Sequence, residues 1–497
     1  MEGYLVGRFV AALVQQQRCG VPVTAANLSA TAYGSGGGFA VDELSVGPFV
    51  NNSCGQGLRQ VWLANGTGNV SASFGGYRLL PQATLSFPLG SCNVSIAQLG
   101  PRALVFGQSA AFSGTSGFAG LELQAGILAA FAEQNLKDGV DGRMLRLVSL
   151  NDGYVASAAA SNTKALVGMG VYGLIGYYGT TCSTAAFGMA VQASIPLIAP
   201  VTGTTGLRSP VSNTVVNVRA SYTDEVYALV RYATLVRGLT RFSIFYQNDS
   251  LGMQGLSGLA AALSALSLSL LSNGSYPRDT IEVGPGLNAL LTYAQPLTPE
   301  AVVVFAMSAP AVAFIRLAQT VLPPSTLYLC PSTVAVGTGF ASSFASNASN
   351  VVVTQVTPLP SDTSYQATVE FQAAAGAMAP PLPPTPLSFE GYLGARLAIR
   401  VLHAAAQNQT LALGSFSSAL LATSTFVIGG LLLGPYSYAC NQGLRQVWYS
   451  SVANGQYVGI PTETFNFANS SCMSDNSTLA AGSSSFLRLL HVFSPAP

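Results

Sequence analysis

The residues of this chain best suited to chemistry are hydroxyls and glycines, not acids, bases or metal ligands. Gly179-Thr180-Thr181 and Val201-Thr202-Gly203-Thr204-Thr205-Gly206 have the composition of loops that bring main-chain N–H groups close to a small molecule. Their threonines add hydroxyl donors and acceptors. Ser and Thr also cap helices, and capping and ligand contact are compatible uses of one position. Catalysis has little material. The only histidines are His403 and His491, carboxylates are sparse, and no GxSxG, Walker or HExxH arrangement occurs. No enzyme activity, metal or cofactor is expected.

The cysteines and asparagines point to a secretory environment. None of the seven cysteines forms a CxxC, so zinc and dithiol chemistry lack support. Cys54 and Cys92 match Cys440 and Cys472 in place and in loop length. One disulfide per pair is expected, each stabilising by roughly 3–4 kcal/mol through loop entropy. Cys19, Cys182 and Cys330 are left over, so at least one thiol is unpaired. For Cys182 and Cys330, two buried thiols are favoured over a bridge. Charged residues make up 8% and the net charge is +1, against roughly 25% charged in ordinary soluble domains. A nucleic-acid groove or polybasic membrane patch would need clustered Lys and Arg, and there is no such run. N-glycans could supply the missing solubility: Asn-x-Ser/Thr sequons begin at Asn65, Asn248, Asn273, Asn347 and Asn408, among others.

The opening Met1–Gln17 lacks the basic-then-apolar order of a signal peptide. Phe426–Leu433, the most apolar stretch, is short, interrupted by Gly429 and Gly430 and ended by Pro435, so no transmembrane helix is expected. A glycosylated exterior with neither entry signal nor anchor is what a piece of a longer extracellular or cell-surface protein would show.

One motif is written twice. Cys54-Gly-Gln-Gly-Leu-Arg-Gln-Val-Trp62 returns as Cys440-Asn-Gln-Gly-Leu-Arg-Gln-Val-Trp448, and Glu2-Gly3-Tyr4-Leu5 returns as Glu390-Gly391-Tyr392-Leu393. Gly47-Pro48-Phe49 likewise matches Gly434-Pro435-Tyr436. The period is too long for a solenoid. It divides the chain into residues 1–97, the end of one unit; 98–470, a complete unit; and 471–497, a tail that could hold the first strand of another. Residues 1–97 contain too few elements to bury their own apolar faces, so they are expected to be less ordered than the central unit or to pack against it.

Within 98–470, short apolar runs alternate with helical patterns. Strands are expected at Ala103–Phe106, Leu145–Leu150, Val171–Ile175, Ile195–Ile198, Phe242–Tyr246, Ala301–Ala306, Leu327–Leu329 and Val351–Val356. Helices are expected at Phe118–Asn135, Ala156–Val167, Asp224–Val236, Leu256–Leu270, Pro310–Val321 and Glu390–Gln407. Continuously apolar strands suit a parallel sheet buried on both faces, and alternation with helices is the pattern of α/β folds. A unit this long suits two lobes.

The order of these motifs resembles type I periplasmic binding proteins, especially the branched-chain amino-acid-binding group and the related ligand-binding regions of animal receptors. "FSGTSGFAGLELQAGILAAFAEQN", "YGLIGYYGTTCSTAAFGMAVQASIPLIAPVTGTT", "NVRASYTDEVYALVRYA" and "RFSIFYQNDSLGMQGLSGLAAAL" carry the likeness, which runs in order from about residue 102 to 450. It implies two Rossmann-like parallel-sheet lobes joined by three crossovers, with a small ligand between them and an incomplete copy ahead. Thr180 then matches a hydroxyl contact to the ligand, and Thr202, Gly203 and Thr204 match main-chain contacts. Thr181 belongs to the same loop, and Phe118 falls where an aromatic ring covers the ligand. In the second lobe, Tyr246 and Ser308 stand at the cleft-facing strand ends.

That second lobe departs from the amino-acid-binding pattern. Pro331-Ser332-Thr333 stands where an acid would hold the ligand's ammonium, and Leu251 replaces a tyrosine. A buried ammonium without a carboxylate would carry a large desolvation cost. Free amino acids are therefore expected to bind poorly, and a small neutral or anionic ligand to be preferred. The reading is the sensing domain of a tandem-repeat cell-surface receptor, with an adhesive or spacer array of degenerate clefts as the alternative. The resemblance also allows a homodimer through the first lobe. The Cys-Asn-Gln-Gly turn and the strand after it are similar, over a short motif, to ectodomains of receptor-type adenylate cyclases of some protists.

Overall fold

The structure is a computed structural model. It describes residues 103–467, apart from 115, 335–338, 345–347, 379–380, 408–410 and 413, together with four strands between 39 and 86. The side chains of 349 and 461–463 and of those four strands are not among those described. The chain divides into two units, Met1–Ala103 and Leu104–Pro497.

In the first unit, β1 (Phe39–Val41) pairs antiparallel with β2 (Leu44–Val46), and β3 (Gln60–Gly66) with β4 (Tyr77–Ser86). The Glu2-Gly3-Tyr4-Leu5 copy of the repeat and the expected Cys54–Cys92 bridge lie outside the described residues, as does the order of the remainder of 1–97.

The second unit opens with β5 (Leu104–Ala110), whose seven residues are all buried. Then follow α1 (Gly117–Asn135), β6 (Leu145–Asn151), α2 (Ala156–Gly168), β7 (Gly173–Ile175), α3 (Thr180–Ala193), β8 (Leu197–Ile198) and β9 (Val215–Val216). The five strands form a parallel sheet in the order β6-β5-β7-β8-β9. The chain crosses at Asn217–Ser221 into a second lobe, made of α4 (Tyr222–Arg231), β10 (Phe242–Gln247), α5 (Ser250–Ala265), β11 (Leu270–Tyr276), α6 (Gly284–Ala294), β12 (Ala301–Phe305), α7 (Ser308–Ala318), β13 (Leu327–Cys330), α8 (Gly339–Ser342) and β14 (Ala348–Gln355). It returns to the first lobe for α9 (Gln366–Gly376), α10 (Pro386–Gln407), α11 (Ser415–Thr423) and the hairpin β15 (Phe426–Ile428)–β16 (Leu431–Leu433). A third crossing leads to β17 (Gln446–Ala453) and β18 (Gln456–Asn466). The second sheet runs β11-β10-β12-β13-β14-β17-β18, parallel until the last two strands join antiparallel.

The apolar runs explain the layers. All five residues of β12 (Ala-Val-Val-Val-Phe) are buried, as helices cover both faces of the sheet. Each large side chain buried in this way contributes about 1.5–3 kcal/mol. Helix α1 buries Ala119, Leu123, Ile127, Ala130 and Phe131 along one stripe. It meets α10 backbone to backbone: a Cβ on Gly126 would lie 1.8 Å from the Ser388 carbonyl oxygen, and one on Gly391 2.5 Å from that of Leu123. Part of the repeated Glu-Gly-Tyr-Leu motif thus has a packing explanation.

The two α/β lobes agree with the sequence reading, with corrections at the edges. The expected helix Leu256–Leu270 instead starts at Ser250 and ends at Ala265, and its tail belongs to strand β11. The Leu-Ser alternation there fits both helical and strand periods, and Ser267 at φ 57° breaks the helix. The expected helix Asp224–Val236 begins at Tyr222 and becomes a π-helical turn over Tyr232–Val236.

The two units share a local architecture. β1–β2 pairs Phe39 with Val46, Ala40 with Ser45 and Val41 with Leu44; β15–β16 pairs Phe426 with Leu433, Val427 with Leu432 and Ile428 with Leu431. In β3–β4 the register shifts between Trp62 and Ala64, and in β17–β18 it shifts between Trp448 and Ser450.

Candidate functional site

Between the lobes of the second unit lies a partly open cleft, about 280 Å³ with its open solvent counted, lined by Tyr154, Tyr178, Gly179, Thr180, Val201, Arg219, Tyr222, Leu251, Met307 and Thr333. These residues follow the carboxyl ends of β6, β7, β8 and β9 in one lobe and of β10, β12 and β13 in the other. That is where parallel α/β sheets leave helix N-termini and loops free to meet a ligand. Three helices start at this wall without a side-chain cap: α2 after Val155, α3 after Gly179 and α7 after Met307. Their first-turn N–H groups and dipole ends favour negative charge nearby. Gly179 has φ 89°, and a Cβ there would stand 2.4 Å from the Tyr154 ring, so only glycine lets the α3 start and Tyr154 share the wall.

The wall is largely aromatic and aliphatic, with a few hydroxyls. Thr180 Oγ1 lies 2.9 Å from Thr202 Oγ1, and the Tyr222 hydroxyl is 3.4 Å from each. Burial drives the Tyr178 phenol pKa upward, so it stays neutral. Thr333 Oγ1 is buried without a hydrogen-bond partner among the described residues. A buried hydroxyl in that state costs about 1–3 kcal/mol, which a ligand acceptor or donor would relieve.

Among the described residues, Arg219 is the only charged one in the wall. Its Nε stands 3.0 Å from Glu390 Oε1, both side chains being almost fully buried, and its Nη2 donates to Ser332 Oγ at 2.9 Å. Burial works against its charge, but Glu390 and then Glu225 offset this and hold the pKa above the ordinary arginine value. Glu225, on α4, accepts from Ser332 N at 2.7 Å, Ser332 Oγ at 3.0 Å and Thr354 Oγ1 at 2.7 Å. The loop after β13 that lacks an acid therefore has a carboxylate behind it, facing the loop and absent from the cavity wall.

The repeated Cys-Asn-Gln-Gly motif braces this site. Gln442, fully buried, accepts from Arg208 Nε at 3.0 Å and donates to the carbonyl of Arg219. Arg208 donates in turn to the carbonyls of Thr202, Thr204 and Arg219. Burial lowers the Arg208 pKa to about 10, which leaves it charged at neutral pH. Asn441 accepts from Asn217 twice, at its carbonyl from the main-chain N–H and at Oδ1 from the side-chain amide. The third crossover thus holds the first one, together with the Thr202–Thr204 loop, in place.

Among the residues expected from the sequence, Thr180 lines the cavity and Thr202 is fully buried directly behind it. Gly203 packs against Tyr222, Thr204 caps a short 3-10 turn, and Thr181 accepts from Arg278. Ser308 begins α7 beside Met307, whereas Tyr246 and Phe118 are not in the wall and Phe118 is 36% exposed. Tyr154, Tyr178, Arg219 and Tyr222 escaped the sequence reading. For Tyr154 and Tyr178 the signal was position, each closely following a predicted strand of the first lobe; Arg219 and Tyr222 follow β9, a strand the sequence reading did not predict.

Cys182 and Cys330 are free and buried, and burial pushes the Cys182 thiol up to about 12. Cys440 is disulfide-bonded; Cys472 lies outside the described residues, so their pairing remains an expectation. Of the sequons, Asn248 and Asn273 are exposed, Asn65 is in β3, and Asn347 and Asn408 lie outside the described residues. Among the described residues no His, Cys, Asp or Glu cluster could hold a metal, and no helix is long and apolar enough to cross a membrane.

Residues 104–449 match the family model for periplasmic binding proteins. Solved structures with this fold include a possible leucine/isoleucine/valine-binding protein from Rhodopirellula baltica, 31% identical, with a TM-score of 0.66, the match covering 72% of this chain and 96% of that one. The branched-chain amino acid binding protein LivJ of Streptococcus pneumoniae, in complex with isoleucine, is 18% identical at a TM-score of 0.61, covering 73% and 99%. A solute-binding protein from R. palustris, in complex with benzoate, is 17% identical at a TM-score of 0.61, covering 72% and 95%. No curated protein matches, and the narrower likeness to cyclase ectodomains finds no support among these relatives. With two lobes, three crossovers and a lined cleft between them, this chain belongs to the periplasmic binding protein family of ligand-binding proteins.

Proposed function

We propose that the cleft binds a small carboxylate with an apolar or aromatic tail and discriminates against free amino acids. The observation that carries this reading is the wall itself: among the described residues its one charged residue is a cation and no carboxylate lines it to receive an ammonium, and uncapped helix starts face it. Tyr154, Tyr178, Tyr222, Leu251 and Met307 offer aromatic and aliphatic contact for the tail. Benzoate, held by the R. palustris neighbour, fits this chemistry better than the isoleucine of the S. pneumoniae neighbour. The name of the 31% identical relative would favour branched-chain amino acids, and the missing wall carboxylate argues against them. Calorimetric titration with aromatic and aliphatic carboxylates alongside the common amino acids tests the proposal: carboxylates should bind, and micromolar binding of leucine or glutamate would overturn it.

The surrounding role is proposed as extracellular sensing by tandem units. The matched hairpin registers around residues 39–46 and 426–433, and the register shift after Trp62 and Trp448, support reading residues 1–97 as the end of another copy. A braced wall that carries Arg219 and an unpartnered Thr333 hydroxyl favours a working cleft over the spacer alternative.

A further inference from the structure

Arg278 follows β11 in the second lobe and reaches into the first. Its Nη2 donates to the Tyr154 carbonyl at 2.8 Å, and its Nη1 donates to Thr181 Oγ1 at 3.3 Å and to Asp249 Oδ2 at 3.1 Å. The guanidinium carbon stands 4.3 Å from the centroid of the Tyr154 ring, the same ring that walls the cavity. Asp249 is itself fixed in place. Its Oδ1 accepts from the N–H groups of Leu251 and Gly252 at the start of α5, and its Oδ2 also accepts from Gln247 Nε2 at 2.7 Å. A second bridge spans the lobes beside it: Gln254 of α5 donates to Thr204 Oγ1 at 2.8 Å and accepts from Thr205 N at 3.0 Å.

We propose that Arg278 is an interlobe latch that holds the lobes together and positions the Tyr154 ring over the ligand cavity. The chemistry is suited to the task. A planar guanidinium can serve a carboxylate, a carbonyl, a hydroxyl and a ring face at once, which an ammonium cannot do in one geometry. Asp249 and Asp279, the latter 3.5 Å from Arg278 Nε, belong to its own lobe, whereas the Tyr154 carbonyl and ring and the Thr181 hydroxyl belong to the opposite one, so opening the cleft must break these last contacts together. The Arg278 side chain is 24% exposed, so water can compete for its bonds to the opposite lobe and the latch remains releasable. The latch deepens the ligand-binding reading by naming how the same site is regulated. It does not depend on which ligand binds.

The test uses the full chain, unfolded and refolded to strip carried-over ligand, with a fluorophore pair at exposed Lys164 on α2 and Ser264 on α5. Single-molecule energy transfer should give one predominant short-distance population for the parent. Arg278→Gln should raise the ratio of long- to short-distance molecules about tenfold, and Arg278→Lys by an intermediate amount. Asp249→Asn, which leaves the bonds to the opposite lobe in place, should shift the distribution less than Arg278→Gln, a ranking that a purely structural role would not produce. Identical distance distributions for the parent and both Arg278 variants, or a shift in Asp249→Asn as large as that in Arg278→Gln, would overturn the latch. If Arg278→Gln does not fold, Arg278→Lys decides: a distribution equal to the parent's overturns the proposal. Opening by Arg278→Gln with no carboxylate binding in separate titrations would keep the latch and remove the proposed ligand class; the converse result would do the opposite.

Discussion

The first lobe brings to the cleft most of its polar chemistry: Thr180, the start of α3, and Arg219 at the first crossover, backed by Gln442 and Arg208. The second lobe brings Leu251, Met307 and Thr333, with Arg278 and Asp249 at the cleft edge. The difference suggests a division of labour: one lobe is organised to recognise a ligand, the other to cover it and to hold the cleft shut. A site assembled this way can change its ligand through one lobe while keeping its closing geometry in the other.

The strongest test of the recognition side is Glu390→Ala. It would leave Arg219 buried without its closest counter-charge, and removing one partner of a buried pair costs on the order of 3–5 kcal/mol. Chemical denaturation should show that loss, whereas a loss below about 1 kcal/mol would mean that Glu225 alone satisfies Arg219.

Next comes Asp224, which closes the capping box at the start of α4 with Ser221. Burial raises its pKa from 3.8 to about 6, against the pull of the Ser221 hydrogen bonds. Between those values the folded state binds more protons than the unfolded state, so stability falls as pH rises from about 4 to about 6 and then levels off. The expected drop is roughly 2–3 kcal/mol, measured as denaturation midpoints across that window, and Asp224→Asn should flatten it.

On the covering side, Thr333→Val should leave stability unchanged or raise it by up to about 1 kcal/mol, because it removes an unpartnered buried hydroxyl. If that hydroxyl meets ligand, carboxylate affinity should fall severalfold in the same variant. The smallest effect is expected at Phe118, which sits half-open to solvent outside the wall. Phe118→Ala should change stability by less than about 0.5 kcal/mol and leave affinity untouched; a tenfold loss of binding would return it to the site.

The sequence made the scaffold legible because continuous apolar runs such as Ala301–Phe305 admit few structures other than buried parallel strands. It failed at Leu266–Leu270, where Leu-Ser alternation satisfies two periods at once and only the left-handed Ser267 separates helix from strand. Thr180 was legible because loop composition and strand-end position agree there. Arg219 and Tyr154 were not, because their role depends on Glu390 and Arg278, 171 and 124 positions away in sequence. The repeated Cys-Asn-Gln-Gly motif was legible as a motif, but its use as a brace emerges only when Gln442 meets Arg208, 234 positions away in sequence.

The proposed preference for carboxylates turns on a wall that holds a cation and, among the described residues, no carboxylate to pair with an ammonium. The most direct measurement is paired calorimetric titration with leucine and 4-methylpentanoate, which differ only by the amino group. The desamino acid is predicted to bind at least tenfold more tightly, and tighter binding of leucine would contradict the account.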